Sequence, residues 1–178
     1  MRILGIDPGS VATGFGVVDS KAGRLIHVVH GTLRPTPRSS PAERLHYLHQ
    51  AISEVVRDHA PDTAVVEQVF VSASARSALV LGQARGVALA AVGAGGRAVV
   101  EYSASRIKLA VTGNGRAGKA QVQNMVRRLL ELDRAPARDA ADALAAAICH
   151  ANAGKIGALS QAARLPAKRS TLRVRRAP

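Results

Sequence analysis

The chain has 178 residues, 47% of them hydrophobic, and 25 Lys and Arg against 12 Asp and Glu, for a formal net charge of +13. That length suits one domain with a full core rather than two, and the single cysteine, Cys149, excludes an internal disulfide or a zinc–cysteine cluster. The charge favours a polyanionic partner, nucleic acid before membrane, because no amphipathic basic helix or lipidation motif is evident. No apolar stretch is read as long enough for a transmembrane helix and no signal peptide precedes the first strand pattern, so cytoplasm is the expected compartment.

In chain order, "RILGID" is a compact apolar run, "TGFGVVD" alternates Gly with Thr, Phe and Val, and "RLIHVVHGTL" repeats the β-branched character after a Ser20–Gly23 turn. Such short connections predict three antiparallel strands. Ser40-Pro41-Ala42-Glu43 has the form of a capping box with Pro at the first helical position, and Leu45, Leu48, Ile52, Val55 and Val56 continue at helical spacing. "TAVVEQ" is a buried strand ending on Glu67, Ser74 to Ala94 a helix rich in small residues, and "RAVVEY" a fifth strand. "SASRIKLAV", "AQVQNMVRRLLEL" and "ARDAADALAAAICHAN" are three further helices. The order predicts an α/β fold with a five-stranded mixed sheet, three antiparallel strands then two parallel, flanked by helices. The folded domain is expected over 1–154, with a basic, flexible tail over 155–178.

Four acids converge in this reading. Asp7 ends the first strand, Glu67 ends the fourth, and adjacent parallel strands end at one sheet edge. Asp139 and Asp142 lie three apart on the first turn of the last helix and share a face. Each aspartate has a plainer explanation: acids favour helix N-termini, and Asp before Pro-Gly is a common turn residue. Glu67 at the end of a Val-Val run has no such excuse. Carboxylates crowded together need a divalent cation or raised pKa values, and hard oxygen ligands suit Mg²⁺ or Mn²⁺. Two such ions about 4 Å apart can activate water and stabilise a leaving oxygen in phosphodiester cleavage.

"GIDPGSVATGFGVVD", "VVEQVF", "LGQARGVA", "GRAGKAQVQNMVRRLL" and "DAADALAAAICH" resemble the successive motifs of the RuvC family of Holliday-junction resolvases, over Met1 to about Asn152. The resemblance implies a ribonuclease-H-like fold, a homodimer, and Mg²⁺-dependent paired nicking of four-way DNA junctions that leaves 5′-phosphate and 3′-hydroxyl ends. It places the catalytic, metal-binding carboxylates on Asp7, Glu67, Asp139 and Asp142, with two Mg²⁺ per site and Mn²⁺ as a substitute. Some members have His at the third position; this chain has Asp139. DNA contacts are implied at Phe70, Arg76, Lys108, Arg116 and Lys119, and the branch-migration proteins RuvA and RuvB as functional partners. The small-residue helix is expected to pack on its counterpart across a two-fold axis.

Other motifs mislead. Gly113 to Ala120 almost spells a phosphate-binding P-loop, but Ala120 stands where a Mg²⁺-ligating hydroxyl belongs, and a helix rather than a strand is expected before it. The opening motif also resembles the first phosphate loop of actin-like ATPases, which need a second related domain. Glu43, His46 and His49 have metal-like spacing, yet the capping box accounts for Glu43. The competing functions are a non-catalytic binder of branched DNA and a shorter YqgF-like relative acting on RNA. All four carboxylates argue against the first, and Phe70 with the LGQARG segment against the second.

Overall fold

The computed structural model describes residues 1–9, 11–68 and 74–162, the last nine through their backbone alone. Strand β1 (Arg2–Asp7), β2 (Thr13–Lys21) and β3 (Arg24–Leu33) form the antiparallel meander. Then come α1 (Pro41–His59), β4 (Thr63–Glu67), α2 (Ala75–Ala94), β5 (Ala98–Tyr102), α3 (Ala104–Thr112), α4 (Lys119–Leu129) and α5 (Arg138–Ala162). The sheet order is β3-β2-β1-β4-β5, with β4 and β5 parallel to β1, the mixed sheet that the sequence predicts.

Strand alternation divides the core in two. Leu4, Ile6 and Val66 face α1 and α2, where they pack with Ile52, Val56, Ala88 and Val92. Ile3 and Val65 face α3, α4 and α5, packing with Ile107, Val126, Leu144 and Ile148. The same alternation turns Asp7 and Glu67 toward the α5 side.

Helix α5 is buried on nearly every side from Ala140 to Cys149, as its unbroken Ala-rich composition requires. It reaches the sheet because β1 and β2 present glycines to it. A Cβ on Gly5 would overlap the Ala143 carbonyl, and one on Gly14 the Asp139 carbonyl. The helix continues past Gly154 to Ala162, eight residues beyond the expected end of the folded domain. "GKIGALSQA" holds no proline to stop it, so helical hydrogen bonding propagates.

The capping box of α1 forms as read: Ser40 Oγ accepts from the Glu43 N–H at 3.3 Å, and Glu43 Oε2 from the Ser40 N–H at 2.7 Å. One expectation fails. Helix α2 has 20 residues with only Arg76 and Arg85 charged, long and apolar enough by length and composition to cross a membrane. Ala and Gly hide this in a strand-and-helix reading, because neither stands out as a hydrophobic run. Of the large apolar side chains on α2, Leu79 and Val80 are 65% and 37% exposed.

Candidate active site

The β1–β4 pairing sets Ile6 opposite Val66, so Asp7 and Glu67 leave the sheet side by side. After Asp7, buried Pro8 and Gly9 turn the chain away, and the Gly9 N–H reaches Thr13 Oγ1 at 3.5 Å, closing the loop into β2. Gln123 on α4 donates to the Pro136 carbonyl at 2.7 Å, fixing the approach to α5 and so the turn that carries Asp139 and Asp142.

Asp7, Glu67 and Asp142 line one pocket of about 170 Å³ with Lys108 from α3 and Lys119 from the start of α4. Asp139 lies one turn earlier on α5, where Arg34 Nη2 stands 3.5 Å from its Oδ2. Lys119 Nζ is 3.6 Å from Asp142 Oδ2.

Burial, then the negative charges of Asp142, Glu67 and Asp139, push the Asp7 carboxyl up to about 7 against only Lys119. Glu67 is raised by burial and by Asp142, with Lys108 and Lys119 opposing. Asp142 is raised by burial, opposed by Lys119, and raised again by Asp139. Asp19, only 5% exposed in the sheet, behaves oppositely. Two hydrogen bonds from Arg2, at 2.8 and 3.0 Å, hold its carboxyl below the ordinary range. The fold therefore pairs a carboxylate whose task is structural, and leaves those at this edge short of positive charge.

Among the described residues, no three acid, imidazole or thiol groups form a finished coordination shell. Mutual repulsion keeps uncompensated carboxylates apart, and a divalent cation would draw them together. Their oxygen donors, burial and deficit of positive charge fit such an ion.

The remaining sequence candidates scatter. Arg116 is exposed in the loop between α3 and α4, which its N–H helps to pin by donating to Asn114 Oδ1 at 2.9 Å. Arg76 lines a separate cavity of about 270 Å³ between α1, α2 and the β1–β2 loop. Phe70 lies outside the described residues. The near-P-loop follows helix α3, as the sequence predicts, with Gly113 as its left-handed cap at φ 75°. His46 is exposed on α1 and Glu43 serves the cap. Arg34 was missed: its partner is 105 positions away, and no local motif marks it.

A mixed sheet whose central parallel strands end in acids, with two more acids on the helix laid across them, defines a nuclease of the ribonuclease-H-like class. The yeast mitochondrial Holliday junction resolvase Ydc2 shares this fold at TM-score 0.62 and 13% identity, over 84% of this chain and 77% of that one. The family model for crossover junction endodeoxyribonuclease RuvC matches residues 3–150. The RuvC of Burkholderia vietnamiensis is 52% identical over 177 residues, covering 99% of this chain and 97% of that protein. Thermus thermophilus RuvC in complex with a Holliday junction substrate superposes at TM-score 0.82 and 33% identity, over 88% and 96% of the two chains. The chain belongs to the RuvC family of crossover junction endodeoxyribonucleases.

Proposed function

We propose that Asp7, Glu67, Asp139 and Asp142 form the divalent-metal centre with which this Holliday-junction resolvase makes paired nicks in four-way DNA. The carrying observation is three carboxylates around one pocket, all pushed above their ordinary range. Family membership implies a divalent metal, and the all-oxygen donor set favours Mg²⁺, two ions per site, with Mn²⁺ as a substitute. Such ions, when bound, supply an activated water and stabilise charge on the phosphoryl and leaving 3′-oxygens, consistent with 5′-phosphate and 3′-hydroxyl products.

The chain's own residues do the rest. Asp7, deepest of the acids, must lose its proton before it can serve as a ligand. Lys108 and Lys119 set two positive charges beside the carboxylates, where a DNA phosphate would be held and its developing charge stabilised. Arg76, Arg116 and Phe70 complete the proposed DNA contacts, Phe70 by stacking on a base at the opened junction. Residues 155–178, with seven basic side chains and no acid, add phosphate contacts. DNA as substrate places the protein in the cytoplasm, with RuvA and RuvB as functional partners.

The exposed apolar side of α2 supports a homodimer whose two active sites face one junction. Leu79→Glu is expected to weaken dimerisation at least 100-fold, read by sedimentation equilibrium, and to replace paired nicks with single ones. A Leu79→Glu protein that stays dimeric at low micromolar concentration contradicts that interface. The functional reading is tested by incubating the protein with a synthetic four-way junction and a linear duplex, with Mg²⁺ or with chelator. Symmetric nicking of the junction with Mg²⁺ alone is expected; equal cutting of the duplex, or cutting in chelator, rejects the reading.

A further inference from the structure

Arg34 stands one residue beyond β3, and the register of the meander decides where it goes. Thr13 pairs with Leu33 and Gly14 with Thr32, while Gly14 lies against the Asp139 carbonyl. The strand end is thereby delivered to the first turn of α5. There Arg34 Nη2 is 3.5 Å from Asp139 Oδ2, with the arginine side chain 62% exposed and the aspartate 33%.

This is not how the fold uses an arginine for structure. Arg2 donates to Asp19 at 2.8 and 3.0 Å and to the His59 carbonyl at 3.0 Å, tying β1, β2 and the end of α1 together. The Arg34–Asp139 separation exceeds that of a charge-assisted hydrogen bond, about 2.7–2.9 Å. An exposed pair of this kind contributes little to stability. Lys119 and Asp142 repeat the arrangement from the α4 side, at 3.6 Å with the lysine 67% exposed. Asp139 and Asp142, near the start of α5, thus each stand beside a loosely held, exposed cation, one from the end of β3 and the other from α4.

A guanidinium and a divalent cation cannot both take Asp139 at full strength. When the metal takes the carboxylate, the arginine loses its partner at the place where a DNA backbone must pass. Its planar fork of donors matches phosphate oxygens. We propose that Arg34 is a phosphate-binding residue of this site, counter-ion to Asp139 before metal binds and contact to the DNA backbone beside the scissile phosphate afterwards. The proposal rests on reading the four carboxylates as a metal centre. It makes metal and DNA binding mutually reinforcing, because DNA removes the arginine that competes with the metal.

The test uses full-length Arg34→Ala and Arg34→Lys with Asp7→Asn in parallel. Mn²⁺ binding to DNA-free protein is followed by titration calorimetry. Junction binding with Ca²⁺ is followed by fluorescence anisotropy across a salt series. Arg34→Ala is expected to bind Mn²⁺ about three- to tenfold more tightly, since a competing positive charge is gone. It is expected to bind the junction about tenfold more weakly, with a log–log salt dependence shallower by about 0.9. Arg34→Lys should restore most of the salt dependence. A surface ion pair with no further role moves neither quantity, so unchanged Mn²⁺ affinity or an unchanged salt slope overturns the proposal. If Asp7→Asn binds Mn²⁺ like wild type, the metal-centre reading itself fails. If Asp7→Asn loses Mn²⁺ while Arg34→Ala matches wild type in both readouts, only the role of Arg34 falls.

Discussion

Asp7→Asn is expected to abolish junction cleavage, by at least about 1,000-fold, while leaving junction affinity within a few-fold of wild type, and to make the metal-free protein more stable. The two halves have one cause. In the folded, metal-free protein burial and three neighbouring acids push the Asp7 carboxyl from 3.8 up to about 7. A carboxyl with a raised folded pKa binds its proton more tightly folded than unfolded. Its cost is absent below about pH 4, grows as pH rises through the window between 4 and 7, and is complete above it. A shift of this size is on the order of 4 kcal/mol, which at pH 8 Asn removes and wild type carries. In chelator at pH 8 the Asp7→Asn protein should melt roughly 8–16 °C higher than wild type. At pH 4 the two melting points should converge. The same proton competes with metal, so at subsaturating Mg²⁺ wild-type cleavage should fall about tenfold per unit below pH 7. An Asp7→Asn protein that cuts normally, or melts lower than wild type at pH 8, would show that this carboxylate is neither needed for cleavage nor destabilising in the folded protein.

Gly14→Ala should also slow cleavage strongly, from a position that touches no substrate. A Cβ on Gly14 would overlap the Asp139 carbonyl and lie 2.9 Å from the Ala140 nitrogen. Both are backbone atoms, so no rotamer change relieves the contact and the first turn of α5 must lift from β2. That turn carries Asp139 and leads directly into Asp142. Overpacking of this kind costs about 1–3 kcal/mol, and a misplacement near 1 Å at a catalytic group costs about 100-fold in rate. The variant should fold, lose several degrees in melting temperature, and cleave about two orders of magnitude more slowly, with junction binding kept because the exposed cations are untouched. Wild-type cleavage by Gly14→Ala would mean that the placement of this turn is not critical.

The sheet and its two-sided covering were legible because strand runs, turn signals and the capping box at Ser40 are local patterns. The acidic edge was legible for a related reason: Asp7 and Glu67 each close a strand, and Asp139 and Asp142 share a helical face. What escaped depends on contacts between distant segments. The alternation of glycine in "TGFGVVD" was visible, but its purpose, to admit an alanine-rich helix to backbone contact, needs both partners at once. Gly5 and Gly14 opposite an Ala-rich final helix is the signal that could have found it. Arg34 reaches Asp139 only through strand register, and the apolar length of α2 was masked by alanine and glycine. The end of α5 at Ala162 was missed because small and polar residues carry a helix without hydrophobic periodicity.

The most direct measurement is anomalous diffraction from crystals of the wild-type protein grown with Mn²⁺. A manganese peak is expected in the pocket lined by Asp7, Glu67 and Asp142, with Asp139 alongside, and that peak should be lost or markedly weakened in Asp7→Asn. A pocket without manganese at millimolar concentration, or a peak unchanged by Asp7→Asn, would contradict it.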